Sequence, residues 1–451
     1  MSVNTIKLRD LFESRSKQSN GRLRFLTEMK NGLGLCDKAG NDYKDFAGNR
    51  ILKDRHLRAE DFSLAELCEA IVGPTWKNLF NPDSRELGRY TTARSLVEAT
   101  GGSRALIEST GVGVDPTAFL NINTFTSVVG GLVEVKILEA FKNPAFIGDA
   151  LCPAEPTKLN GQKIIGVNRL GDRGKKRLPG EAHTRAQFNE RWVQTPETRE
   201  NALAVDVYKE TIFYDLTGDL MNVAGSVGEE LAYRRELEIL SLITGASNSF
   251  NYNGTAYNTY STSLNALGYF NDFSNPLNDW TAIQADMLKF ARMQDPGTGK
   301  RILTMPNTIL VNPAKVATAN LILQATSTER RTGSGATTPQ TTSNPLNISV
   351  TGSNPYSGQF QILSSPLLEQ VCTASAADGG LALSQSDADE YWWMLESGKS
   401  FRYMQNYPLS VAQSAPNQYE MLDRGIVASY FANERGIPSV WSPWHIVRNK
   451  A

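Results

Sequence analysis

The run from Thr217 to Thr244 constrains the fold more than any other part of the sequence. It contains no proline, Thr217 is a candidate N-cap with Asp219 in the first turn, and Gly245 can take a positive φ at the helix end. At about 1.5 Å per residue, a helix of this length spans roughly 40 Å. The sequence therefore predicts one long helix around which the other elements are arranged.

The apolar pattern of this helix changes along its length. Its first half carries one narrow apolar stripe, which consists of Leu220, Val223, Ala224, Val227 and Leu231. In its second half apolar side chains spread around most of the circumference, at Leu237, Ile239, Leu240, Leu242 and Ile243. Arg234 and Glu238, four residues apart, interrupt this pattern. We expect one face of the first half to lie on a core and the second half to be covered on several sides.

Two glycines lie inside the predicted helix. Gly225 and Gly228 each cost up to about 1 kcal/mol relative to alanine in a helix interior. One explanation is close packing of the helix backbone against a neighbouring strand. The other is a bend point that is used during a conformational change.

Length and composition exclude several classes of protein. The 451 residues are enough for about three domain-sized units, and a net charge of −1 argues against a dedicated nucleic-acid binder. The sequence lacks a signal peptide and any run of about eighteen apolar residues, so we expect a cytosolic protein without a membrane span. The four isolated cysteines predict reduced, partly buried structural thiols, at Cys36, Cys68, Cys152 and Cys372.

The first 120 residues have few packing signals. They are polar and somewhat basic, and a capping box from Ser63 to Glu66 opens one short amphipathic helix. The apolar positions of this helix are Leu64, Leu67, Cys68 and Ile71. We therefore expect an extended arm with short helices, which has no core of its own and needs a partner surface.

A long charged segment follows a predicted helix that starts after Gly130-Gly131. Residues 163–166 and 202–207 are strand-like, and the polar segment between them has no core of its own, so we expect a projecting hairpin that rests on another subunit. The Lys175-Lys176-Arg177 run could contact nucleic acid, but such runs more often pair with acidic groups on a neighbouring protein. The candidate inter-subunit contacts are Arg169, Arg173, Lys175, Lys176, Arg177, Glu181, Arg185, Glu190, Arg191, Arg234 and Glu238.

The remaining sequence predicts alternating helices and strands. We expect irregular surface structure over 246–279 and a helix over 280–293. A buried strand is expected over 307–312, and it should be followed by a helix that starts at Pro313 and contains Leu321. The tract 326–358 is too poor in apolar residues to pack and predicts a long exposed loop. Short strands are expected at 359–363, 391–395, 401–405 and 426–431. Trp392, Trp393, Trp441 and Trp444 should fill the C-terminal sheet.

Catalytic and ligand-binding motifs are missing from the sequence. The three histidines are far apart, and no nucleophile, metal or calcium-loop motif is present. The segment 295–300 resembles a phosphate-binding loop but lacks the first glycine and the Ser/Thr, which indicates an ordinary turn. Asp387, Asp389 and Glu390 are expected to be solvated loop charges. We therefore expect neither a catalytic residue nor a cofactor or metal site.

The order of these elements resembles the major capsid protein of tailed bacteriophages, which has the Hong Kong 97-like fold. The stretches that carry the resemblance are 215–245 as the spine helix, 306–323 and 358–368 in the axial domain, and 391–403 with 422–431 as the closing sheet. The implied fold class is α+β. The implied parts are an N-terminal arm (1–120), a peripheral domain (121–153 and 211–279), an extended loop (154–210), an axial domain with a polar loop (280–395, loop 326–358), and closing strands of the peripheral domain (396–451).

The resemblance also implies partners. It implies a homo-oligomer of hexamers and pentamers in an icosahedral shell, portal, scaffolding and cement proteins, non-specific contact with packaged DNA, and a virion assembled in the host cytoplasm. Some family members form a lysine–asparagine cross-link, and Lys163, Lys175 and Lys176 lie in the corresponding loop. No acceptor residue can be matched, so the cross-link is not assigned here. The alternatives are an encapsulin-like compartment, a tail structural protein and an enzyme with an unrecognised site.

Overall fold

The computed structural model describes 21–44, 51–53, 57, 63, 64, 67, 116–142, 146–165, 179, 192–214, 216–295, 299–325, 327–332, 348–414 and 424–450. The helices within these ranges are α1 (Gly21–Gly32), α2 (Pro116–Phe141), α3 (Gly148–Leu151), α4 (Lys209–Phe213), α5 (Thr217–Thr244), α6 (Trp280–Phe290), α7 (Val316–Gln324), α8 (Pro366–Thr373) and α9 (Gln385–Glu390). None of them has the length and apolarity that a bilayer span requires.

The strands described by the structure vary from three to fifteen residues. They are β1 (Ala154–Pro156), β2 (Lys163–Ile165), β3 (Trp192–Gln194), β4 (Arg199–Tyr208), β5 (Phe250–Tyr252), β6 (Thr255–Tyr257), β7 (Asp272–Ser274), β8 (Thr308–Val311), β9 (Ser327–Thr332), β10 (Ile348–Ser353), β11 (Gln361–Leu363), β12 (Trp392–Leu395), β13 (Phe401–Ser414), β14 (Ile426–Val440) and β15 (Ile446–Lys450).

The chain forms two compact units. The first unit comprises Met1–Asn143, Arg199–Arg234 and Asn406–Gly436, and the second comprises Pro144–Thr198, Arg235–Gln405 and Ile437–Ala451. The chain passes from one unit to the other within α5, β13 and β14. Each unit has its own apolar core.

The first unit packs helices on an antiparallel pair of strands. β4 pairs with β14, from Arg199 opposite Gly436 to Tyr208 opposite Ile426. The core between helices and strands includes residues of α2, α5, β4 and β14, among them Val129, Leu132, Val205, Leu220 and Tyr430. α2 begins at Pro116 and runs through Gly130-Gly131, so the prediction of a helix that starts after these glycines is wrong. A side chain at Gly130 would come within 2.9 Å of the Tyr430 ring, which explains a glycine within the helix.

Part of the predicted arm is buried in this same core. Met29, Leu33, Leu35, Leu64 and Leu67 are almost inaccessible to solvent and pack in the core of the first unit. The expectation that the arm needs a partner surface is therefore wrong for these residues. The helical pattern of Leu64 and Leu67 identifies an apolar face, but it does not show that this face packs on the same chain. Residues 68–115, which include Cys68 and Ile71, lie outside the described residues.

The predicted long helix is confirmed as α5, which runs from Thr217 to Thr244 and is followed by Gly245 with a φ of +84°. The Thr217 hydroxyl accepts a hydrogen bond from the N–H of Leu64 at 2.8 Å. Four of the five predicted stripe residues are buried, but Val223 is 52% exposed, so the stripe is narrower than predicted. In the second half, Ile239, Leu240 and Ile243 are buried, as the all-round apolar pattern predicted.

The two helix glycines have different environments. A Cβ atom at Gly225 would meet nothing within 4 Å. A Cβ atom at Gly228 would be closer to the Ile137 carbonyl oxygen than the sum of their van der Waals radii allows, and it would lie 3.0 Å from the Ala140 Cβ atom. Close packing therefore accounts for Gly228 only, and the neighbour is the helix α2 instead of a strand.

The second unit is built on a five-stranded mixed sheet in the order β11-β8-β12-β15-β7. Trp392, Trp393 and Trp444 are fully buried in its core, as expected, whereas Trp441 is only half-buried under the guanidinium of Arg402. The strand β15 was not predicted, because Arg448 and Asn449 interrupt its apolar pattern. Both of these polar residues are nevertheless buried.

Two other predictions for the second unit are wrong. Residues 246–279 form β5, β6 and β7 and bury Tyr260, Leu267 and Tyr269, because side-chain amides such as that of Asn271 satisfy the irregular backbone. The predicted loop 326–358 contains the antiparallel pair β9–β10, with 333–347 outside the described residues. The predicted helix after Pro313 is confirmed as α7, in which Ala319 and Leu323 are buried and Leu321 is 73% exposed.

The predicted loop charges near residue 390 lie on a short helix. Asp387 and Glu390 belong to α9, whose N-cap Ser384 accepts a hydrogen bond from the N–H of Asp387. Glu390 forms an ion pair with Lys315 at 2.8 Å. The prediction of a loop is therefore wrong, because the Ser384 cap gives the acidic run a helical start, whereas Asp387 is exposed as predicted.

Candidate functional site

The extended-loop region begins at a small sheet in the second unit. β2 pairs with β3, β3 pairs with β5, and β5 pairs with β6, all antiparallel. The predicted pairing of 163–166 with 202–207 is wrong, because 202–207 belongs to β4 and pairs with β14. The true partner of β2 is the three-residue strand Trp192–Gln194, which is too short to show an alternating pattern.

Aromatic and amide groups hold the base of this hairpin together. The Lys163 ammonium lies 4.4 Å from the centre of the Trp192 ring, within the range of a cation–π contact. The N–H of Trp192 donates to the Asn253 side-chain oxygen at 3.1 Å. Val193 on β3 is buried in the core of the second unit. The base of the hairpin is thus supported by its own chain.

The predicted contact residues are not brought together by the described structure. Nine of them lie outside the described residues: Arg169, Arg173, Lys175, Lys176, Arg177, Glu181, Arg185, Glu190 and Arg191. Arg234 is exposed on α5 and Glu238 is half-buried one turn later. The contact roles of all eleven residues stay predictions.

A cavity of about 410 Å³ lies beside the base of the hairpin, within the second unit. Its lining combines the loops before β2 and after β3 with the last turn of α5 and the strands β5, β6 and β14. The lining residues are Asn160, Gly161, Gln194, Thr195, Pro196, Glu197, Leu242, Ser249, Phe250, Asn251, Ala256 and Val440. This cavity was not predictable from the sequence, because its walls come from five separate segments.

Hydrogen bonds between the two loops fix one wall of the cavity. The N–H of Gln162 donates to the Thr195 hydroxyl at 2.8 Å, and the N–H of Thr195 donates back to the Gln162 carbonyl at 3.0 Å. The N–H of Thr198 donates to the side-chain oxygen of Asn160 at 2.8 Å. These bonds hold the loops in one conformation, so the wall is pre-formed.

A buried carboxylate in α5 binds the start of α3. Glu236 is 3% exposed, and its two oxygens accept the N–H groups of Ile147 and Gly148 at 3.0 and 2.7 Å. The adjacent Arg235 forms an ion pair with Asp149 at 2.7 Å. Burial is the main reason that the pKa of Glu236 is raised above its ordinary value of 4.5, and the two backbone hydrogen bonds offset only part of this effect.

We predict that Glu236→Gln changes how stability depends on pH. Because the folded-state pKa of Glu236 is raised, the carboxyl group of Glu236 binds its proton more tightly in the folded protein than in the unfolded chain. Its contribution to the free energy of unfolding is therefore complete below about pH 4.5 and is lost as the pH rises through the folded-state pKa. The stability advantage of the wild type over the glutamine variant should shrink from pH 4.5 to 7 in urea unfolding. A constant difference would contradict this prediction.

The end of α5 is joined to the C-terminal strand by Arg448. Its guanidinium donates to the Thr244 carbonyl at 3.1 Å and to both carboxylate oxygens of Asp272 at 3.2 and 2.9 Å, and it lies 4.4 Å from the centre of the Tyr260 ring. Burial lowers the pKa of Arg448, but the hydrogen bonds and charge of Asp272 outweigh burial and raise it. This arginine stays charged at every physiological pH. Arg448 was not predictable from the sequence, because a single arginine in a five-residue strand forms no recognisable pattern.

The described cysteines are structural. Cys36, Cys152 and Cys372 are free and buried, as predicted, and Cys68 lies outside the described residues. Burial raises the pKa of Cys372 to about 12 and also raises that of Cys152, so both thiols stay protonated and unreactive. Among the residues that the structure describes, no group of three or more His, Cys, Asp and Glu side chains could hold a metal ion.

A family model described as "phage capsid protein" matches residues 193–431, more than half of the sequence. The chain therefore belongs to the phage capsid protein family. The α+β class and the Hong Kong 97-like capsid fold that the sequence predicted are confirmed by this assignment.

Several solved structures are similar to this chain at low identity. The capsid of the cyanophage P-SCSP1u is 12% identical, covers 68% of this chain and 88% of its own, and has a TM-score of 0.40. A protein of Mycobacterium phage Ogopogo is also 12% identical and covers 67% and 91%, with a TM-score of 0.35. The SrpI encapsulin of Synechococcus elongatus is 12% identical and covers 68% and 87%, with a TM-score of 0.36. No curated protein matches significantly. The family assignment rests on the match of the family model to residues 193–431.

Proposed function

We propose that the chain is the major capsid protein of a tailed bacteriophage, copies of which assemble into an icosahedral head around the DNA genome. The observation that carries this proposal is the match of a capsid family model to residues 193–431. The matched segment begins at the hairpin base and includes α5, four of the five strands in the mixed sheet of the second unit, and part of β14. These are the parts that the resemblance assigned to the shell wall.

Exposed apolar side chains support assembly with other copies. Leu303 and Met305 are each 70% exposed, two residues apart in the segment before β8. Two such side chains on one side of an extended segment favour an interface, because burial of a large apolar side chain contributes about 1.5–3 kcal/mol. Tyr214 and Val223 are similarly exposed in the first unit.

Charge supports a role for the hairpin tip in contacts between subunits. The tip has an excess of basic residues, whereas the exposed side of the first half of α5 carries Asp219, Glu229 and Glu230. A basic tip that meets an acidic helix face on a neighbouring copy would be held by charge complementarity. The predicted division into arm, peripheral domain, extended loop and axial domain belongs to the same proposal.

The remaining partners follow from a role in a phage head. Hexamers and pentamers would form the shell, a portal protein and a scaffolding protein would direct its assembly in the host cytoplasm, and cement proteins would bind the finished lattice. A net charge of −1 suits non-specific contact with packaged DNA, since a strongly basic wall would bind it tightly. In this role the chain has no catalytic activity, cofactor or membrane contact.

Electron microscopy of the expressed protein tests the proposal. We expect uniform hollow particles in negative stain, and we expect particles from phage-infected cells to protect DNA against nuclease. A monodisperse monomer would contradict a shell role. Closed particles that contain a protein cargo and no DNA would favour the encapsulin-like alternative, and fibres or open rings would favour a tail protein.

A further inference from the structure

The chain that follows α6 turns back on itself and forms a short antiparallel pairing in the second unit. The N–H of Ile302 donates to the Met293 carbonyl at 3.0 Å. Met293 is buried and Ile302 is half-buried, whereas the neighbouring Arg301 is exposed. Arg292 precedes Met293 and Leu303 follows Ile302, so these two exposed residues lie across from each other in the pairing.

Large apolar side chains lie beside the two arginines on this surface. Leu303 and Met305 are each 70% exposed and alternate with less exposed residues. Leu288 on α6 is 53% exposed and lies one helical turn before Arg292. We call this surface the arginine patch, and it consists of Leu288, Arg292, Arg301, Leu303 and Met305. Exposed large apolar side chains together with arginine and methionine are typical of the centre of a protein–protein interface.

The two arginines have no counter-ion in the described part of the chain. Arg292 and Arg301 form no ion pair with any residue that the structure describes. Of the acidic residues that are closest to them in sequence, Asp286 pairs with Lys289 at 3.0 Å and Asp295 is buried. Both guanidinium groups therefore keep their donors for a carboxylate of a partner, whose geometry matches their planar fork.

Four carboxylates lie together elsewhere in the second unit, around α8 and α9. The Gln385 side-chain amide donates to Glu369 at 2.6 Å and to Asp389 at 3.2 Å. Serine hydroxyls donate to Asp378 and Asp387, both at 2.7 Å. None of the four carboxylates forms an ion pair with a described residue, so these neutral donors orient them without compensating their charge. We call Glu369, Asp378, Asp387 and Asp389 the carboxylate surface.

The arginine patch and the carboxylate surface are complementary in both charge and polarity. Ala376 and Ala377 are exposed next to Asp378, so the carboxylate surface also offers apolar contacts to Leu303 and Met305. No ion pair joins the two surfaces within the described chain, although both belong to the second unit. Each copy thus presents two matching surfaces that it does not join itself, and a second copy is the partner that fits both.

We propose that the arginine patch of one copy binds the carboxylate surface of a neighbouring copy. This inference rests on the proposed shell function, which places copies side by side. Because the two surfaces differ, the contact is head-to-tail, and each copy contributes one surface to the copy before it and the other to the copy after it. Contacts of this kind close into rings, which is the arrangement that a hexamer or a pentamer requires.

Photocross-linking in assembled particles identifies what covers the arginine patch. Met305 is replaced with p-benzoylphenylalanine, and particles are co-assembled from isotopically labelled and unlabelled chains. On irradiation we expect a cross-linked dimer, and mass spectrometry should locate the second peptide within residues 369–389 of another copy. Cross-links to a different part of the chain or to nucleic acid, or no cross-link at all, would overturn the inference.

Charge reversal tests the complementarity directly. Arg292→Glu with Arg301→Glu should raise the protein concentration at which half of the chains assemble at least about tenfold, the factor that corresponds to one lost charge-assisted hydrogen bond. Asp387→Lys with Asp389→Lys should have a similar effect. All four substitutions in one chain should bring this concentration back toward the wild-type value, because each contact again joins opposite charges. No recovery in the fourfold variant would contradict the contact.

Arg424→Glu is the matched control for these variants. Arg424 is exposed in the first unit and forms no ion pair with a described residue. Its reversal should leave assembly unchanged, and an equal loss would show that any reversed charge blocks assembly.

The outcomes separate this inference from the proposed function. If the wild type forms no particles, the shell function fails and this inference fails with it. If the wild type forms particles and the charge variants assemble equally well, the contact is wrong and the shell function stands.

Discussion

Replacing Arg448 with methionine is expected to lower the free energy of unfolding of the second unit by about 3–5 kcal/mol. Arg448 is 8% exposed and Asp272 is 5% exposed, so the substitution leaves a buried carboxylate without its bidentate partner. It also removes a donor from the Thr244 carbonyl at the end of α5. Urea unfolding followed by circular dichroism measures the loss.

Arg402→Met is the matched control for this prediction. Arg402 also pairs with a carboxylate, that of Glu155, but both side chains are about one third exposed. Its loss should cost about 1 kcal/mol or less, because solvent screens such pairs. Asp272→Leu combined with Arg448→Met should recover part of the stability, since no buried carboxylate is then left without its arginine. Lys450, which also pairs with Asp272 at 3.4 Å, is about one third exposed, so water can solvate its charge in the double variant. Equal losses for the two arginine variants would show that burial of the Arg448 pair is unimportant.

Gly228→Ala is expected to lower the free energy of unfolding of the first unit by about 1–3 kcal/mol. The new methyl group would overlap the carbonyl oxygen of Ile137 and lie 3.0 Å from the Ala140 Cβ atom, so α2 or α5 would have to shift. Both neighbours are parts of a helix and cannot rotate away. Hydrogen–deuterium exchange of α2 and α5 peptides, together with urea unfolding, measures the effect.

Gly225→Ala, three residues away in the same helix, should have the opposite effect. Nothing lies within 4 Å of its added methyl group, so the gain in helix propensity of about 0.5–1 kcal/mol is not offset by a clash. Comparison of Gly225→Ala with Gly228→Ala separates the effect of packing from the effect of helix propensity, since both variants replace glycine with alanine in the same helix. Destabilisation by both variants would mean that α5 needs its glycines for flexibility, which was the alternative explanation for them.

The elements that could be predicted from the sequence are those whose apolar pattern is continuous along the chain. The period of the apolar residues and Gly245 are enough to define α5, and the buried run before Pro313 is enough to define β8. The pairing of β2 was not predictable, because its partner β3 has three residues and β4 offered a longer apolar pattern. The burial of residues 246–279 depends on side-chain amides that satisfy the backbone, and polar residues of this kind usually indicate a surface loop.

The candidate site was less predictable than the fold. The charge pattern identified the hairpin tip and the pair Arg234 and Glu238 as candidate contacts between subunits, and these roles stay predictions. It did not identify Glu236 or Arg448, because the function of each depends on burial by residues far away in the sequence. The cavity was also missed, since Asn160, Asn251 and Val440 come together only in the folded chain.

The distribution of tryptophan has a spectroscopic consequence. The chain has seven tryptophans, and the six that the structure describes, Trp192, Trp280, Trp392, Trp393, Trp441 and Trp444, all belong to the second unit. The seventh, Trp76, lies outside the described residues. Intrinsic fluorescence excited near the indole band should therefore report chiefly on melting of the second unit. A fluorescence transition that differs from the circular dichroism transition would reveal that the two units unfold separately.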